Sequence, residues 1–219
     1  MRNTINVLFL SEADADYANC ACDGLRCLVM PPVFAYQPAV RKRGKPGTTL
    51  ELGLMGNFNW WPNQRMLHWF ASQALPHVTS PLRLNLFGRP CGSLSRDPRI
   101  LQHGVVEPVE EVFNRCDFLI CPALPAGGVS VKIAESLYNG MPVLATREAV
   151  RGLLLEEDPA VALCAGAGEW IQFLDSDRAR HLAMQQVSSA NKRKFAPSAH
   201  LENLHTFIAN AVHPVSPAL

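Results

Sequence analysis

The chain has 219 residues, of which 48% are hydrophobic and 18% are charged, and its net charge is +1. This composition is typical of a globular protein with a substantial core, and the nearly neutral charge argues against nucleic acid or an anionic membrane as a partner. No apolar run reaches the ~18–20 residues that a membrane-spanning helix requires, and the apolar stretch near the N-terminus is shorter than a secretory signal needs.

The first 49 residues predict a small strand–helix–strand unit followed by a linker. Residues 5–10 (INVLFL) have the length and composition of a buried strand, and Ser11 is suited to cap a short helix with acidic first turns. Residues 27–30 (CLVM) form a second strand, which two prolines end. Residues 35–49 carry prolines, glycines and the basic run RKRGK without periodicity, so we predict a solvated linker there.

The cysteines indicate reduced thiols rather than a metal site. Cys20, Cys22 and Cys27 have the spacing C-x-C-x4-C, but no histidine or fourth cysteine stands at ligand spacing. Several other cysteines fall inside apolar strands, where buried free thiols are common. We therefore predict no metal and a cytoplasmic location.

From residue 50 onward, short apolar strands alternate with helices. The predicted strands are residues 50–55, 82–87, 100–102, 117–121, 143–145 and 160–164. The predicted helices are about residues 64–74, 109–115, 129–139, 148–153, 169–173, 178–194 and 200–211. This alternation indicates parallel βαβ units, so the predicted fold class is α/β with a doubly wound parallel sheet. Ligands of such sheets bind beyond the carboxyl ends of the strands, at helix N-termini.

The segment PAGGVSVKIAESLYNGMPVLAT (125–146) contains a lysine where a helix disfavours one. Lys132 stands near the start of the predicted helix, against the positive end of the helix dipole, which costs ~0.3–1 kcal/mol. A bound diphosphate would offset this cost. The glycine pair before the helix lets backbone approach a ligand, and free amides at Val129, Ser130 and Val131 suit phosphate.

Glu135 follows Lys132 by three residues, on nearly the same helix face. A carboxylate in this place can accept two hydrogen bonds from a vicinal diol such as that of a ribose. The alternative is that Lys132 and Glu135 form an ion pair on a solvated face and that the glycines only make a turn.

Several segments, in this order, resemble the carboxyl-terminal domain of GT-B glycosyltransferases of the group 1 family. They are LGLMGNFNWWPNQRMLHWF (52–70), LRLNLFGRP (82–90), LQHGVVEPVEEVFNRCDFLICPAL (101–124) and GGVSVKIAESLYNGMPVLAT (127–146). The W-x-P-N turn and the G-x-x-x-K-x-x-E core resemble one bacterial subgroup. Residues 1–34 resemble the end of the family's amino-terminal domain.

The resemblance implies a Rossmann-like fold and a division of the chain. Residues 1–34 would be a small remnant of the N-terminal domain, 35–49 a linker, 50–195 the nucleotide-sugar-binding domain and 196–219 a C-terminal helix and tail. The implied function is transfer of a sugar, without a cofactor, from a nucleotide-diphosphate sugar to an acceptor glycan, lipid or protein, in glycan or polysaccharide biosynthesis.

The resemblance also assigns site residues. The donor diphosphate would lie against Gly128, Val129, Ser130, Val131 and Lys132, and the ribose against Glu135. Gly127 stands where the family's E-x7-E motif has its first glutamate, which contacts the transferred sugar. The basic residues that usually clamp the phosphates after the first strand are missing as well.

Further candidates lie in the loops at the same edge of the sheet. Candidate donor contacts are Asn57, Asn59, Arg89, Val105 and Val106, the valines through backbone groups at a nucleobase. Asn63 could bind phosphate or sugar hydroxyls, or cap the following helix. Trp60 and Trp61 offer a stacking platform for a base or sugar, or pack the loop against the sheet.

A second class of function remains open from the sequence. Without the first motif glutamate and the basic clamp, the chain could be a non-catalytic nucleotide-binding or partner-docking module. A hydrolase or a dehydrogenase has little support, because neither G-x-S-x-G nor G-x-G-x-x-G follows a predicted strand. If most of an acceptor domain is absent, apolar residues of 1–34 are exposed and favour self-association.

Overall fold

The structure is a computed structural model, and the residues that it describes form two parallel β-sheets. It describes residues 5–38, 44–89, 97–122 and 128–212. The smaller sheet pairs β1 (Ile5–Phe9) with β2 (Leu25–Val29), and helix α1 (Glu12–Ala21) connects them. Ser11 caps α1 as predicted, because its Oγ accepts a hydrogen bond from the amide of Asp14 at 3.2 Å.

The larger sheet contains six parallel strands within the described residues, which confirms the predicted doubly wound fold. In chain order the strands are β3 (Leu50–Met55), β4 (Leu82–Phe87), β5 (Ile100–Gly104), β6 (Phe118–Cys121), β7 (Val143–Ala145) and β8 (Val161–Leu163). Their spatial order is β5-β4-β3-β6-β7-β8, so the connections run outward in opposite directions from β3 and β6. A crevice forms at such a reversal, beyond the carboxyl ends of the two strands, and it is the usual ligand site of this architecture.

Helices cover both faces of this sheet. They are α2 (Trp61–Trp69), which continues as a π-helical turn (Phe70–Ala74), α3 (Glu110–Arg115), α4 (Val131–Tyr138), α5 (Arg147–Val150), α6 (Ala167–Leu174), α7 (Asp177–Met184), α8 (Ser189–Lys194) and the terminal α9 (Leu201–Val212). The core on one face includes Leu54, Phe70 and Trp170. The core on the other face includes Ile133 and Phe195, so both faces are buried, as parallel sheets require.

The single helix that we predicted over residues 178–194 is wrong, because the chain breaks between α7 and α8. Gln185 has an extended backbone. The Asp158 carboxylate accepts a hydrogen bond from the Ser188 amide at 2.8 Å and another from Asn191 Nδ2 at 2.9 Å. Ser188 Oγ also caps α8 by accepting from the Asn191 amide. These long-range bonds replace intrahelical ones, so the break needs neither proline nor glycine.

The segment that follows β2 contacts the larger domain just before and at the start of the predicted linker, residues 35–49. The amide of Phe34 donates to the carbonyl of Phe195 at 3.1 Å, and the Tyr36 ring meets the Tyr138 ring edge-on, with centroids 5.6 Å apart.

Part of the basic run, residues 1–4 and residues 213–219 lie outside the described residues. Within the described ranges, no helix combines the length and apolar character that crossing a bilayer requires.

Candidate functional site

A cavity of about 240 Å³ lies at the reversal point of the sheet, between the loops that follow β3 and β6. The starts of α2, α4 and α5 meet there, and each helix start carries a partial positive charge. The lining residues are Trp60, Trp61, Pro62, Asn63, Arg65, Met66, Cys121, Gly128, Val129, Ser130, Val131, Lys132, Glu148 and Ala149. The cavity therefore combines an apolar wall with a set of helix N-termini, a combination that suits a ligand with an anionic group.

The start of α4 forms one wall of this cavity. The helix begins at Val131, two residues later than predicted, because Ser130 is extended and serves as the N-cap. The amides of Ile133 and Ala134 donate to the Ser130 carbonyl at 3.1 and 3.2 Å. The amides just before them have no acceptor within the helix. The structure thus brings all residues of the predicted diphosphate site, 128–132, to the same cavity.

Lys132 is largely buried, and its partner is a neutral amide. Its Nζ donates to Oδ1 of Asn63 at 2.6 Å. Burial lowers the pKa of Lys132, and the nearby Cys121 sulfur raises it by a smaller amount. Among the described residues no carboxylate lies within ion-pair distance of Lys132. The alternative of a solvated Lys132–Glu135 ion pair is therefore wrong.

Asn63, the partner of Lys132, is itself held from the β3 side of the crevice. Its side chain is only 4% exposed, and its Nδ2 donates to the carbonyl of Asn57 at 3.0 Å. Gly56 passes so close that a Cβ there would lie 2.6 Å from Asn63 Nδ2. Because the backbone of the loop after β3 fixes Asn63, the position of Lys132 is tied to this loop as well.

Glu135 lies one turn further along α4 and does not line the cavity. Its Oε1 accepts a hydrogen bond from the Tyr36 hydroxyl at 3.0 Å, and that hydroxyl accepts one from Asn139 Nδ2 at 3.0 Å. Burial raises the pKa of Glu135, and the bond from Tyr36 opposes this shift. The pKa of Tyr36 is also raised, mainly by burial, so the phenol keeps the proton that it donates. Sequence reasoning missed Tyr36, because it lies in a segment without periodicity.

Trp60 and Trp61 form the exposed rim of the cavity. Their side chains are 58% and 54% exposed, so the indoles are not packed against the sheet. The guanidinium of Arg65 lies 5.2 Å from the centroid of the Trp61 ring, in a cation–π contact that holds the charge at the rim. Arg65 was not predicted, although its i, i+4 spacing from Trp61 on α2 is a signal that could have found it.

The other candidate donor contacts do not line the cavity. The Oδ1 of Asn57 accepts from the Asn59 amide at 3.0 Å within the turn, and the carbonyl of Arg89 accepts from the Phe58 amide at 3.0 Å. Val105, at 63% exposure, and Val106 follow β5, further along the same edge of the sheet. Gly127 lies outside the described residues, and no cluster of metal-ligating side chains occurs in the described part of the chain.

A family model described as "Glycosyl transferases group 1" matches residues 49–174. Similar solved structures include HepE from Anabaena in complex with UDP-glucose, at 15% identity and a TM-score of 0.68, covering 95% of this chain and 65% of HepE. They also include a mutant of S. aureus TarM in complex with fondaparinux, alpha-GlcNAc-glycerol and UDP. Its identity is 13% and its TM-score is 0.67, and the match covers 92% of this chain and 43% of TarM. A third is the pneumococcal O-GlcNAc transferase GtfA in complex with UDP and GlcNAc. Its identity is 11% and its TM-score is 0.59, and the match covers 95% of this chain and 45% of GtfA.

These structural similarities support the fold, which is that of a GT-B glycosyltransferase domain. The chain spans less than two thirds of the length of each of the three proteins. A comparison with curated protein sequences finds no match.

Proposed function

The chain belongs to the group 1 glycosyl transferases, and from this premise we propose that it binds a nucleotide-diphosphate sugar for transfer to an acceptor. The donor diphosphate would occupy the cavity beside Gly128, Val129, Ser130, Val131 and Lys132. The acceptor would be a glycan, a lipid or a protein, and the reaction would belong to glycan or polysaccharide biosynthesis. No cofactor enters this proposal.

The observation that carries the proposal is the largely buried Lys132 with a neutral partner. A cation removed from water is costly unless an anion compensates it, and here the helix dipole adds to the cost. An anion in the cavity would offset both costs, because its negative charge would attract the helix amides and the Lys132 ammonium alike. A diphosphate is the anion that fits the family, and the similar HepE structure was solved with UDP-glucose.

The same groups would stabilise the leaving group during transfer. As the bond between the anomeric carbon and the distal phosphate oxygen breaks, negative charge develops on the diphosphate. Lys132 and the amides at the start of α4 are in place before the reaction, so little reorganisation is needed to stabilise that charge. Arg65 at the rim is a second cation that would compensate for the missing basic clamp.

The ribose would bind at Glu135, and the base further along the edge towards Val105 and Val106. Tyr36 occupies one carboxylate oxygen of Glu135, which leaves the other oxygen for the ribose diol. Asn57, Asn59 and Arg89 are proposed as outer contacts of the donor. They follow β3 and β4, the strands between the cavity and the base loop.

Thermal unfolding with saturating UDP, GDP, ADP or CMP tests this proposal. A ligand at about 100 times its Kd adds ~2.7 kcal/mol to the free energy of unfolding, which raises the midpoint by roughly 5–10 °C for a chain of this size. We expect this rise with one nucleotide and its loss in Lys132→Ala and Glu135→Ala. A flat response to all nucleotides from well-folded protein would favour a partner-docking module instead.

We also propose a bacterial source, a cytoplasmic location and self-association for this chain. The W-x-P-N turn favours the bacterial subgroup and hence a bacterial source. The free cysteines of the described residues favour a cytoplasmic location. The exposed apolar side chains of β1 and α1, which include Ile5 and Tyr17, favour self-association through residues 1–34.

A further inference from the structure

The partner of Lys132 has the shape of an aspartate but lacks its charge. Asn63 Oδ1 receives the Lys132 ammonium at 2.6 Å, in the geometry that a carboxylate oxygen would use in a salt bridge. An aspartate in this place would be nearly identical in volume and would neutralise the lysine. The chain has instead an amide, whose other end donates to the Asn57 carbonyl.

We propose that Asn63 is a positioning residue that holds Lys132 towards the cavity while leaving its positive charge available to an anion. This inference rests on the proposed function, since it assigns the anion site to the same cavity. It adds a residue for which the family resemblance gave no role, and it explains why a neutral side chain stands there.

The hydrogen bonds of Asn63 determine its orientation. The Asn57 carbonyl can only accept, so it must face the NH₂ group, and the ammonium can only donate, so it must face Oδ1. Both ends of the amide are therefore satisfied in one orientation. Because the side chain is 4% exposed, water does not compete for either bond. An ammonium on a flexible four-carbon stem is thereby fixed at one point.

The neutral partner also matters for the energy of anion binding. A carboxylate in contact with the ammonium would attract it strongly in this poorly hydrated site, and an incoming phosphate would have to compete with that attraction. The amide dipole orients the ammonium but leaves its charge uncompensated. Binding of the anion is then the step that supplies the missing negative charge.

The variant Asn63→Asp tests the proposal, with inorganic pyrophosphate and UDP as probes in isothermal titration calorimetry. We expect the ligand-free variant to remain folded, because the pairing of the introduced carboxylate with Lys132 offsets the loss of the hydrogen bond from Asn63 Nδ2 to the Asn57 carbonyl. We also expect both probes to bind about tenfold more weakly or worse. A purely structural role of Asn63 would not give this combination of retained stability and lost affinity. The matched control is Asn203→Asp, which adds the same charge on the exposed side of α9 and should leave affinity unchanged.

Asn63→Ala gives a second measurement if the aspartate variant does not fold. Without the amide, Lys132 loses its fixed position, so we expect pyrophosphate to bind several-fold more weakly while the cation remains. Unchanged affinity in either folded variant overturns the inference and leaves the proposed function intact. Absence of binding of both probes to the unchanged chain overturns both.

Discussion

At the scale of single residues, the site is organised by one charge and the groups that surround it. Lys132 is largely buried, next to the Cys121 sulfur and the Asn63 amide, and burial lowers its pKa. In the ligand-free chain this arrangement opposes folding, because the charged form loses its hydration without gaining an anion. The lysine is thus better explained by binding than by stability.

Lys132→Met is expected to stabilise the ligand-free chain, and the gain should depend on pH. The pKa of Lys132 is lower in the folded chain than its ordinary value of 10.5, so between these two values the unfolded chain binds more protons. The free energy of unfolding of the unchanged chain therefore rises with pH in this window, and below the window the buried Lys132 charge destabilises the chain to its full extent. Lys132→Met has no such charge. The amount by which this variant is more stable than the unchanged chain at pH 7 should therefore shrink as the pH approaches 10.5.

Urea unfolding under reducing conditions at pH 7, 8.5 and 10 measures this effect. Lys45→Met, at an exposed lysine, is the control for the loss of a lysine charge. A variant that is less stable than the unchanged chain at pH 7 would show that the buried charge is compensated within the protein.

The part of the site that could be predicted is the part that is local in sequence. The glycine pair, the helix start and the lysine within 128–132 form one continuous pattern, and the structure places it at the cavity. Asn63 and Tyr36 could not be assigned their partners, because each contacts α4 from an element far away in the chain. The helical pattern predicts which residues of α4 share a face. Which residues of distant elements contact that face depends on the packing of the whole domain.

At the scale of elements, the turns after β3 and β4 support the site through a close backbone contact. Gly88 has a φ of +123°, and a Cβ on it would lie 2.0 Å from the carbonyl oxygen of Gly56. Gly56 in turn lies against Asn63. Displacement of the β4 turn would therefore be passed on to Asn63 and then to Lys132.

Gly88→Ala should destabilise the chain by about 3 kcal/mol or more, because an alanine is strained at this φ and its methyl group would overlap the carbonyl of Gly56. For this chain length that is a midpoint lowered by roughly 6–12 °C. Nucleotide binding should weaken in the fraction that remains folded. Gly24→Ala is the matched control, since Gly24 has a φ of +81° but open space around its Cβ position, so we expect only the backbone term of about 1–2 kcal/mol. Equal losses in both variants would contradict the role of the contact.

Tyr36→Phe should weaken recognition of the ribose more than it weakens the fold. The Tyr36 hydroxyl orients Glu135, and loss of one hydrogen bond costs about 1 kcal/mol. We expect the Kd of UDP to rise several-fold and the preference for UDP over 2′-deoxy-UDP to fall, as measured by calorimetry. Tyr17→Phe, at a side chain that is 79% exposed, serves as the control. If Tyr36→Phe keeps the same preference for UDP over 2′-deoxy-UDP, Tyr36 has no role in recognition of the ribose.

The elements themselves could be predicted well where they depend on short-range patterns. The strands of the larger sheet were all expected, since each is a compact apolar run bounded by turn residues. The break between α7 and α8 was not, because it depends on Asp158, which lies 30 residues before Ser188 in the chain. Helical propensity continues through the break, and only the long-range hydrogen bonds interrupt it.

At the scale of the whole molecule, the small β1–β2 sheet joins the larger domain by specific contacts. Arg26 in β2 donates to the Asn210 carbonyl of α9 at 3.0 Å, and a Cβ on Gly152 would lie 2.9 Å from the Cβ of Ser11. The small sheet nevertheless leaves apolar side chains in water on one side, where Leu8 and the following Leu10 are each 40% exposed. Its contacts with the larger domain therefore do not cover its outer face.

The chain should self-associate through this face, and Leu8→Lys should reduce the association. Sedimentation velocity over a range of concentrations measures both. A lysine on the exposed strand adds charge to the contact and costs the fold little, because Leu8 is not in the core. Leu201→Lys, at an equally accessible position on α9, is the control for added charge. A chain that stays monomeric at high concentration would contradict this prediction.

The largely buried lysine also has a consequence for engineering. In a screen for heat-resistant variants without ligand, substitutions that remove this charge would be enriched, and the selected proteins would have lost their anion site. Addition of a bound nucleotide to the same screen would reverse the preference, because the charge then contributes to the stability that is selected. A library screened both ways would thus record, position by position, where this protein has exchanged robustness for activity.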